Sequence, residues 1–256
     1  MALRAARAGA AVLREVGLPR PGYAAELKGK GDYVTAADRQ SEAAILEVLA
    51  REAPGIPVLA EEEGGKRTLG PTMWVVDPLD GTTNFTRGFP TVGISVALLE
   101  DGAPVVGVVL APFLDLEFTV ASGEGAFRNG ERLPAHRVVD PASAVVATGF
   151  PFRNKSLLSR YLAMLRRALE RFEDLRRAGS AALDLAWTAS STFDGFFELN
   201  LNAWDIAAGA ALVMEAGGRV TDWSGGDTWL ETGNILAGSP AVHEALLQLA
   251  EESSQG

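Results

Sequence analysis

The stretch Trp74-Val75-Val76-Asp77-Pro78-Leu79-Asp80-Gly81-Thr82-Thr83 constrains the fold of this chain more than any other. Its opening apolar run has the character of a buried strand, and the Pro- and Gly-containing bend behind it forces that strand to stop. Two carboxylates, Asp77 and Asp80, therefore stand just past the end of an apolar strand. Open α/β sheets place their ligands there. Asp-Pro and Asp-Gly are good turn formers in their own right, so position rather than residue type distinguishes the pair.

The 256 residues are enough for one sizeable domain or two lobes. Hydrophobic residues at 47% against charged residues at 22% indicate a soluble globular chain. Glu100-Asp101 interrupts the long apolar run from Val92 to Leu110, so no stretch approaches the ~20 residues of a membrane span. The N-terminal residues resemble a signal sequence only superficially: Arg14 and Glu15 cut the run short, and Leu3, Ala6, Ala10 and Leu13 fall at helical spacing. Without a cysteine there are no disulfides, thiolate nucleophiles or Cys-ligated metals. A cytoplasmic setting is expected. The net charge of −10 provides no global basic field, which argues against nucleic acid or anionic lipid as a partner. Arg166, Arg167, Arg171, Arg176 and Arg177 are interleaved with Glu170, Glu173 and Asp174, as on a solvated helix face.

Strand and helix signals alternate along the chain without repeats or linkers. After the first helix, Thr35-x-x-Asp38 has the form of a capping box, and Ile45, Leu46 and Leu49 supply an apolar stripe that Pro54-Gly55 ends. A short strand over Ile56–Leu59 runs into Glu61-Glu62-Glu63, and Trp74–Val76 forms the next. Residues 92–120 are strand-rich, with a turn at Asp101-Gly102, and Asn129-Gly130 marks a further hairpin. In the second half, a strand near Ala144 is followed by helices over 156–175, 181–191 and 205–216 and a strand over 195–199. Mixed α/β structure results: a single domain over 1–256, with sub-lobes of about 1–140 and 141–256.

The two histidines, His136 and His243, lie outside any H-E-x-x-H spacing, and no G-x-S-x-G is present. Oxygen chemistry remains. Asp77 and Asp80, with a carbonyl between them, offer hard donors of the kind Mg²⁺ and Mn²⁺ prefer. Glu61-Glu62-Glu63 ends another strand, where a solvated loop is the plainer explanation. Asp38 and Asp205 at helix starts are explained equally by capping, and Glu198 by strand-edge polarity. Together, acids at several strand ends and helix starts point to a carboxylate-held metal.

The segments GDYVTAADR (31–39), AEEE (60–63), WVVDPLDGTTNF (74–85), GEGAFRNG (123–130), GSAALDLA (179–186) and WDIAAGAALVMEAGG (204–218) together resemble the inositol monophosphatase family, in order over almost the whole chain. The likeness is nearest to the bacterial inositol-1-monophosphatases. It implies a layered αβαβα sandwich, a homodimer and Mg²⁺-dependent hydrolysis of small phosphate monoesters, Mn²⁺ being an alternative cation, with roughly two or three ions per site. Carried over position by position, Glu61, Asp77, the Leu79 carbonyl, Asp80 and Asp205 match metal ligands, with Glu62 as an alternative to Glu61. Asp38 and Thr82 match the pair that handles the attacking water, and the Gly81 and Thr82 amides match phosphate donors. Ser180, Ala181 and Glu198 match contacts to the substrate.

Three acids stand where the family shows two, and Asn200-Leu201-Asn202-Ala203 falls where relatives vary. Inositol-1-phosphate leads as substrate, with fructose-1,6-bisphosphate, histidinol phosphate and 3′-phosphoadenosine 5′-phosphate as rivals within the fold. Membership of a transcription complex, known for a bacterial relative, is the alternative of another class.

Overall fold

The computed structural model describes residues 1–19, 25–29, 32–62, 69–137 and 139–253. Gly31 of the first resemblance motif and Glu63 of the acidic run lie outside them. The first half contains helix α1 (Ala2–Val16), the hairpin β1 (Glu26–Gly29) and β2 (Asp32–Val34), and helix α2 (Ala36–Glu52). Strands β3 (Val58–Ala60) and β4 (Thr72–Asp80), the short helix α3 (Thr82–Thr86), and strands β5 (Gly93–Glu100), β6 (Ala103–Ala111), β7 (Leu116–Ala121), β8 (Gly125–Arg128) and β9 (Glu131–Arg132) follow. The strands from β3 to β9 form a seven-stranded sheet in sequence order, antiparallel except for the parallel pair β3 and β4.

The second half runs β10 (Val145–Thr148), α4 (Leu158–Arg171), β11 (Asp174–Arg176), α5 (Ala181–Ala189), β12 (Gly195–Glu198) and α6 (Ala203–Glu215). Strand β13 (Arg219–Thr221), helix α7 (Trp229–Thr232), strand β14 (Ile235–Gly238) and helix α8 (Pro240–Glu252) complete it. Its five-stranded sheet has the order β11-β10-β12-β14-β13.

Three apolar cores hold these elements in five layers. Residues of α1 and α2 pack with Trp74, Val76, Ile94 and Val96 on the outer face of the large sheet. On its inner face, Val75, Ala97 and Val109 meet α5 and α6, and the same core reaches Phe196 and Ala237 of the small sheet. Tyr161 and Met164 of α4 and Leu246 of α8 cover the far side of that sheet. The result is the expected αβαβα sandwich. Helix α6 reads Ala-Trp-Asp-Ile-Ala-Ala-Gly-Ala-Ala-Leu-Val and is buried over that whole length. A helix apolar on all sides has no solvent face and belongs between two sheets.

Where α6 crosses the large sheet, an ordinary side chain does not fit. A Cβ at Gly107 of β6 would lie 2.9 Å from the Ala208 carbonyl oxygen and 2.9 Å from Val120 Cγ1. Glycine thus lets the middle helix layer sit directly on the strands.

The bend after Val76 is not a strand end. Strand β4 continues through Pro78 to Asp80, with Asp77 opposite Ser95 and Asp80 opposite Gly93. Three steps on β4 therefore match two on β5, the signature of one inserted residue. In a regular strand, residues three apart face opposite sides of the sheet. The inserted residue cancels that alternation and turns both carboxylates to one side. Pro78, which has no N–H for the ladder, is tolerated at such an irregularity.

The hairpin β1–β2, strands β13 and β14, and helices α7 and α8 add to the elements expected from the sequence, while the helix expected over 156–175 ends at Arg171 and its last expected residues belong to β11. The arginine-rich helix face holds only in part: Arg166 pairs with Glu170 one turn on and Arg167 with Glu252, but beyond the helix end at Arg171, Arg176 lies in β11 and Arg177 lines the cleft. Gly107→Val is expected to destabilise the protein by about 1–3 kcal/mol through overpacking. Urea unfolding would measure this, and an unchanged midpoint would show that α6 is less tightly seated than described.

Candidate active site

A cleft of about 440 Å³ opens where the C-terminal end of β4, the N-termini of α5 and α6, and the end of β12 meet. Asp77, Asp80 and Asp205 each bring a carboxylate oxygen to within 4.8 Å of the others. Asp77 is buried by the strand, and its Oδ1 accepts the Leu79 N–H at 3.0 Å. Asp80 Oδ2 accepts from Ser180 Oγ at 2.7 Å and from the Ala182 N–H at 2.8 Å, which ties the large sheet to the start of α5. Asp205 Oδ2 accepts the Asn202 N–H at 2.6 Å, closing the N-terminus of α6.

Asp38 serves two partners. Its Oδ2 accepts from the backbone N–H of Thr35 at 2.8 Å and from Thr35 Oγ1, completing the capping box of α2. Its Oδ1 accepts from Thr82 Oγ1 at 3.1 Å, and the same hydroxyl lies 3.3 Å from the Leu79 carbonyl. The cap and the link to the site are one side chain.

Glu61, Leu79, Gly81, Thr82, Ser180, Ala181 and Glu198 also line the cleft, so the residues singled out in the sequence converge. Glu61 stands outside the tight triad but close enough for its charge to act on Asp77. Glu62 is not among the described residues lining the cleft, and its backbone N–H is given to Glu42. Gly81 has φ 98°, a left-handed conformation that favours glycine, and packs beside the Thr91 and Gly179 carbonyls. The histidines take no part: His243 is buried with Nε2 2.8 Å from Thr221 Oγ1, and His136 is half-buried, both away from the cleft.

Burial dominates the electrostatics. It raises Asp77 well above the ordinary carboxyl range, reinforced by the charges of Glu61, Asp80 and Asp205. Burial and then Asp205 push Asp80 up to about 7, against the Ser180 and Ala182 hydrogen bonds. Asp205 is raised by burial and held back by Arg153, the Asn202 N–H and a hydrogen bond with Asp77. Burial lifts Glu198 to about 8, with the Arg177 guanidinium opposing. An all-oxygen donor set, largely buried and mutually repelling, fits a hard divalent cation, which would relieve the repulsion.

The sequence model of the inositol monophosphatase family matches residues 1–255. That coverage decides the classification. The chain belongs to the inositol monophosphatase family. Among family members, it is 41% identical over 250 residues to the protein named Nus factor SuhB from Pasteurella multocida, covering 96% of this chain and 93% of that one. It is 41% identical over 227 residues to an inositol-1-monophosphatase of Mesorhizobium japonicum, covering 88% and 85%. The crystal structure of extragenic suppressor protein suhB from Bartonella henselae superposes with a TM-score of 0.88 at 38% identity, covering 98% of this chain and 97% of that chain.

Several cleft residues carry no local sequence signal for the site, and Arg177, expected on a solvated helix face, is one of them. Arg153 and Arg177 supply positive charge beside the acids, and Arg177 lies 5.5 Å over the Phe150 ring and 5.7 Å over Phe152. Asp184 lines the cleft, nearly water-free. The exception is the Phe150-Pro151-Phe152-Arg153 run, two exposed aromatics locked around a proline.

A carboxyl raised on folding stays protonated where the unfolded chain has already released its proton. The folded state is therefore favoured least at high pH: stability declines as pH rises through the folded values of about 7 for Asp80 and about 8 for Glu198. Both histidines are lowered by burial and act in the opposite sense, but below about pH 7. Chelator-treated protein is thus expected to melt at a lower temperature at pH 9 than at pH 7, with excess Mg²⁺ narrowing the gap. An equal or higher melting temperature at pH 9 would contradict the buried-acid description.

Proposed function

We propose that this chain is a divalent-cation-dependent phosphomonoesterase acting on inositol-1-phosphate or a similar small polyol or sugar phosphate. The observation that carries this reading is the convergence of Asp77, Asp80 and Asp205, from the bulge of β4 and the start of α6, in one buried cleft. Membership of the inositol monophosphatase family supports a phosphatase, and the Mesorhizobium relative supports the inositol ester.

In this reading Asp77, Asp80, Asp205, Glu61 and the Leu79 carbonyl hold Mg²⁺ or Mn²⁺, with Glu61 preferred to Glu62 because it lines the cleft. The cation would polarise the phosphoryl oxygens, lower the pKa of a water and offset the acidic walls that otherwise repel a dianionic ester. Thr82, hydrogen-bonded to Asp38, orients the attacking water, and Asp38 takes its proton. Burial raises Asp38 above the ordinary carboxyl value, against the Thr35 and Thr82 hydrogen bonds, so it is a stronger base than a surface aspartate. The Gly81 and Thr82 N–H groups face the phosphoryl oxygens, while Ser180, Ala181 and Glu198 border the alcohol. A homodimer and a cytoplasmic setting belong to the same reading. Among the described residues no helix is long and apolar enough to cross a membrane.

A second reading is favoured by the relatives named Nus factor SuhB at 41% identity. Those names remove the basis for discounting nucleic acid or a transcription assembly as partners on net charge alone. Here the chain would act as a binding component, independently of its cleft.

Phosphate release with Mg²⁺ from inositol-1-phosphate, fructose-1,6-bisphosphate, histidinol phosphate and 3′-phosphoadenosine 5′-phosphate tests the substrate class. Inositol-1-phosphate is expected to give the highest kcat/KM, and silence on all four would remove the enzymatic reading. Asp205→Asn is expected to abolish turnover with the fold retained. Thr82→Ala should lower kcat by about 10²–10⁴-fold with a much smaller loss of Mg²⁺ affinity; equal losses in both would argue against a water-orienting hydroxyl.

A further inference from the structure

Asp184 lies one turn into α5, is 1% exposed, and lines the cleft with Glu198. Its Oδ1 is buried without a hydrogen-bond partner, and its backbone carbonyl is already taken by Thr188 Oγ1. Capping does not explain the side chain. The start of α5 is capped by other groups: Ser180 Oγ and the Ala182 N–H are directed to Asp80, and the Leu183 N–H turns to Ser180 Oγ. The helix dipole would favour a charged Asp184, yet burial, with Glu198 and Asp80 nearby, drives its carboxyl well above the usual range. The Arg177 guanidinium opposes that rise, but Oδ1 itself is left buried without a hydrogen bond.

We propose that Asp184 is a specificity-determining residue, whose buried carboxyl forms with Glu198 the hydrogen-bonding floor for the hydroxyl groups of a polyol leaving group. The proposal rests on the phosphomonoesterase reading and assigns its alcohol subsite a second acid. A carboxyl accepts from a hydroxyl in either protonation state and donates as well when protonated, so such a floor suits a neutral polyhydroxylated ring. A leaving group without hydroxyls would leave the pair unsatisfied, which is how a polar subsite discriminates. Buried polar groups without internal partners are the usual places where stability is traded for function.

The test compares inositol-1-phosphate with phenyl phosphate, whose leaving group has no further hydroxyl, using Asp184→Leu and Asp184→Asn with Mg²⁺. Asp184→Leu should raise KM for the polyol ester about tenfold more than for phenyl phosphate, with a melting temperature at or above wild type. Asp184→Asn, which keeps a donor and an acceptor, should retain wild-type discrimination to within about threefold. Equal losses on both esters, an unmoved ratio, or an asparagine variant as impaired as leucine would overturn the assignment. Asp184→Ala is read by the same criteria if the leucine variant does not fold. Wild-type protein inactive on both esters would remove the phosphatase reading instead. Saturation-transfer NMR with free inositol then still decides Asp184: its signal should be present in wild type and lost in Asp184→Leu, and a signal unchanged by the substitution would sink the proposal.

Discussion

Three carboxylates crowded to within 4.8 Å in a buried cleft set the terms for the rest of this fold. At an effective dielectric of ~20, each ionised pair would repel by on the order of 4 kcal/mol. The fold holds them by spending one oxygen of each on an anchor. Asp77 Oδ1 is fixed by its own strand through Leu79, Asp80 Oδ2 by Ser180 and Ala182 at the start of α5, and Asp205 Oδ2 by Asn202 at the start of α6. The Asp80 anchor joins the large sheet to the middle helix layer. The site and the seam between layers are therefore the same set of contacts.

This arrangement runs against the usual economy of a core. Asp38, Asp77, Asp184 and Asp205 are all buried, and burial raises every one of their pKa values. The three apolar cores, above all the one shared by both sheets with α5 and α6, supply the stability that such a cluster consumes. Packing is close where α6 rests on Gly107, and α6 is also the helix that delivers Asp205. Rigid placement of a carboxylate and close packing of a helix are here one requirement.

Much of this was legible in the sequence. The capping box at Thr35 and Asp38, the apolar run of α6 and the Asn129-Gly130 hairpin carry local signals that survive in the structure, because turn chemistry and periodicity act over a few residues. The bulge at Pro78 was not, since an expected strand end and an irregular continuation share the same Pro and Gly cues. Strands β13 and β14 are short and gain their identity only from neighbours across the small sheet. Helix α8, with Pro240 at its first turn and apolar residues at helical spacing, carries its signal in local pattern alone. In the site, acids at element ends were visible, whereas Asp184 in a run of small apolar residues and the cations Arg153 and Arg177 become cleft residues only through tertiary folding.

Crystals soaked in Mn²⁺ and measured at its absorption edge test the central claim most directly. The account predicts an anomalous peak within coordination distance of carboxylate oxygens from Asp77, Asp80 and Asp205. Mn²⁺ bound only elsewhere on the protein, with this cluster lacking a peak at saturating metal, would contradict it.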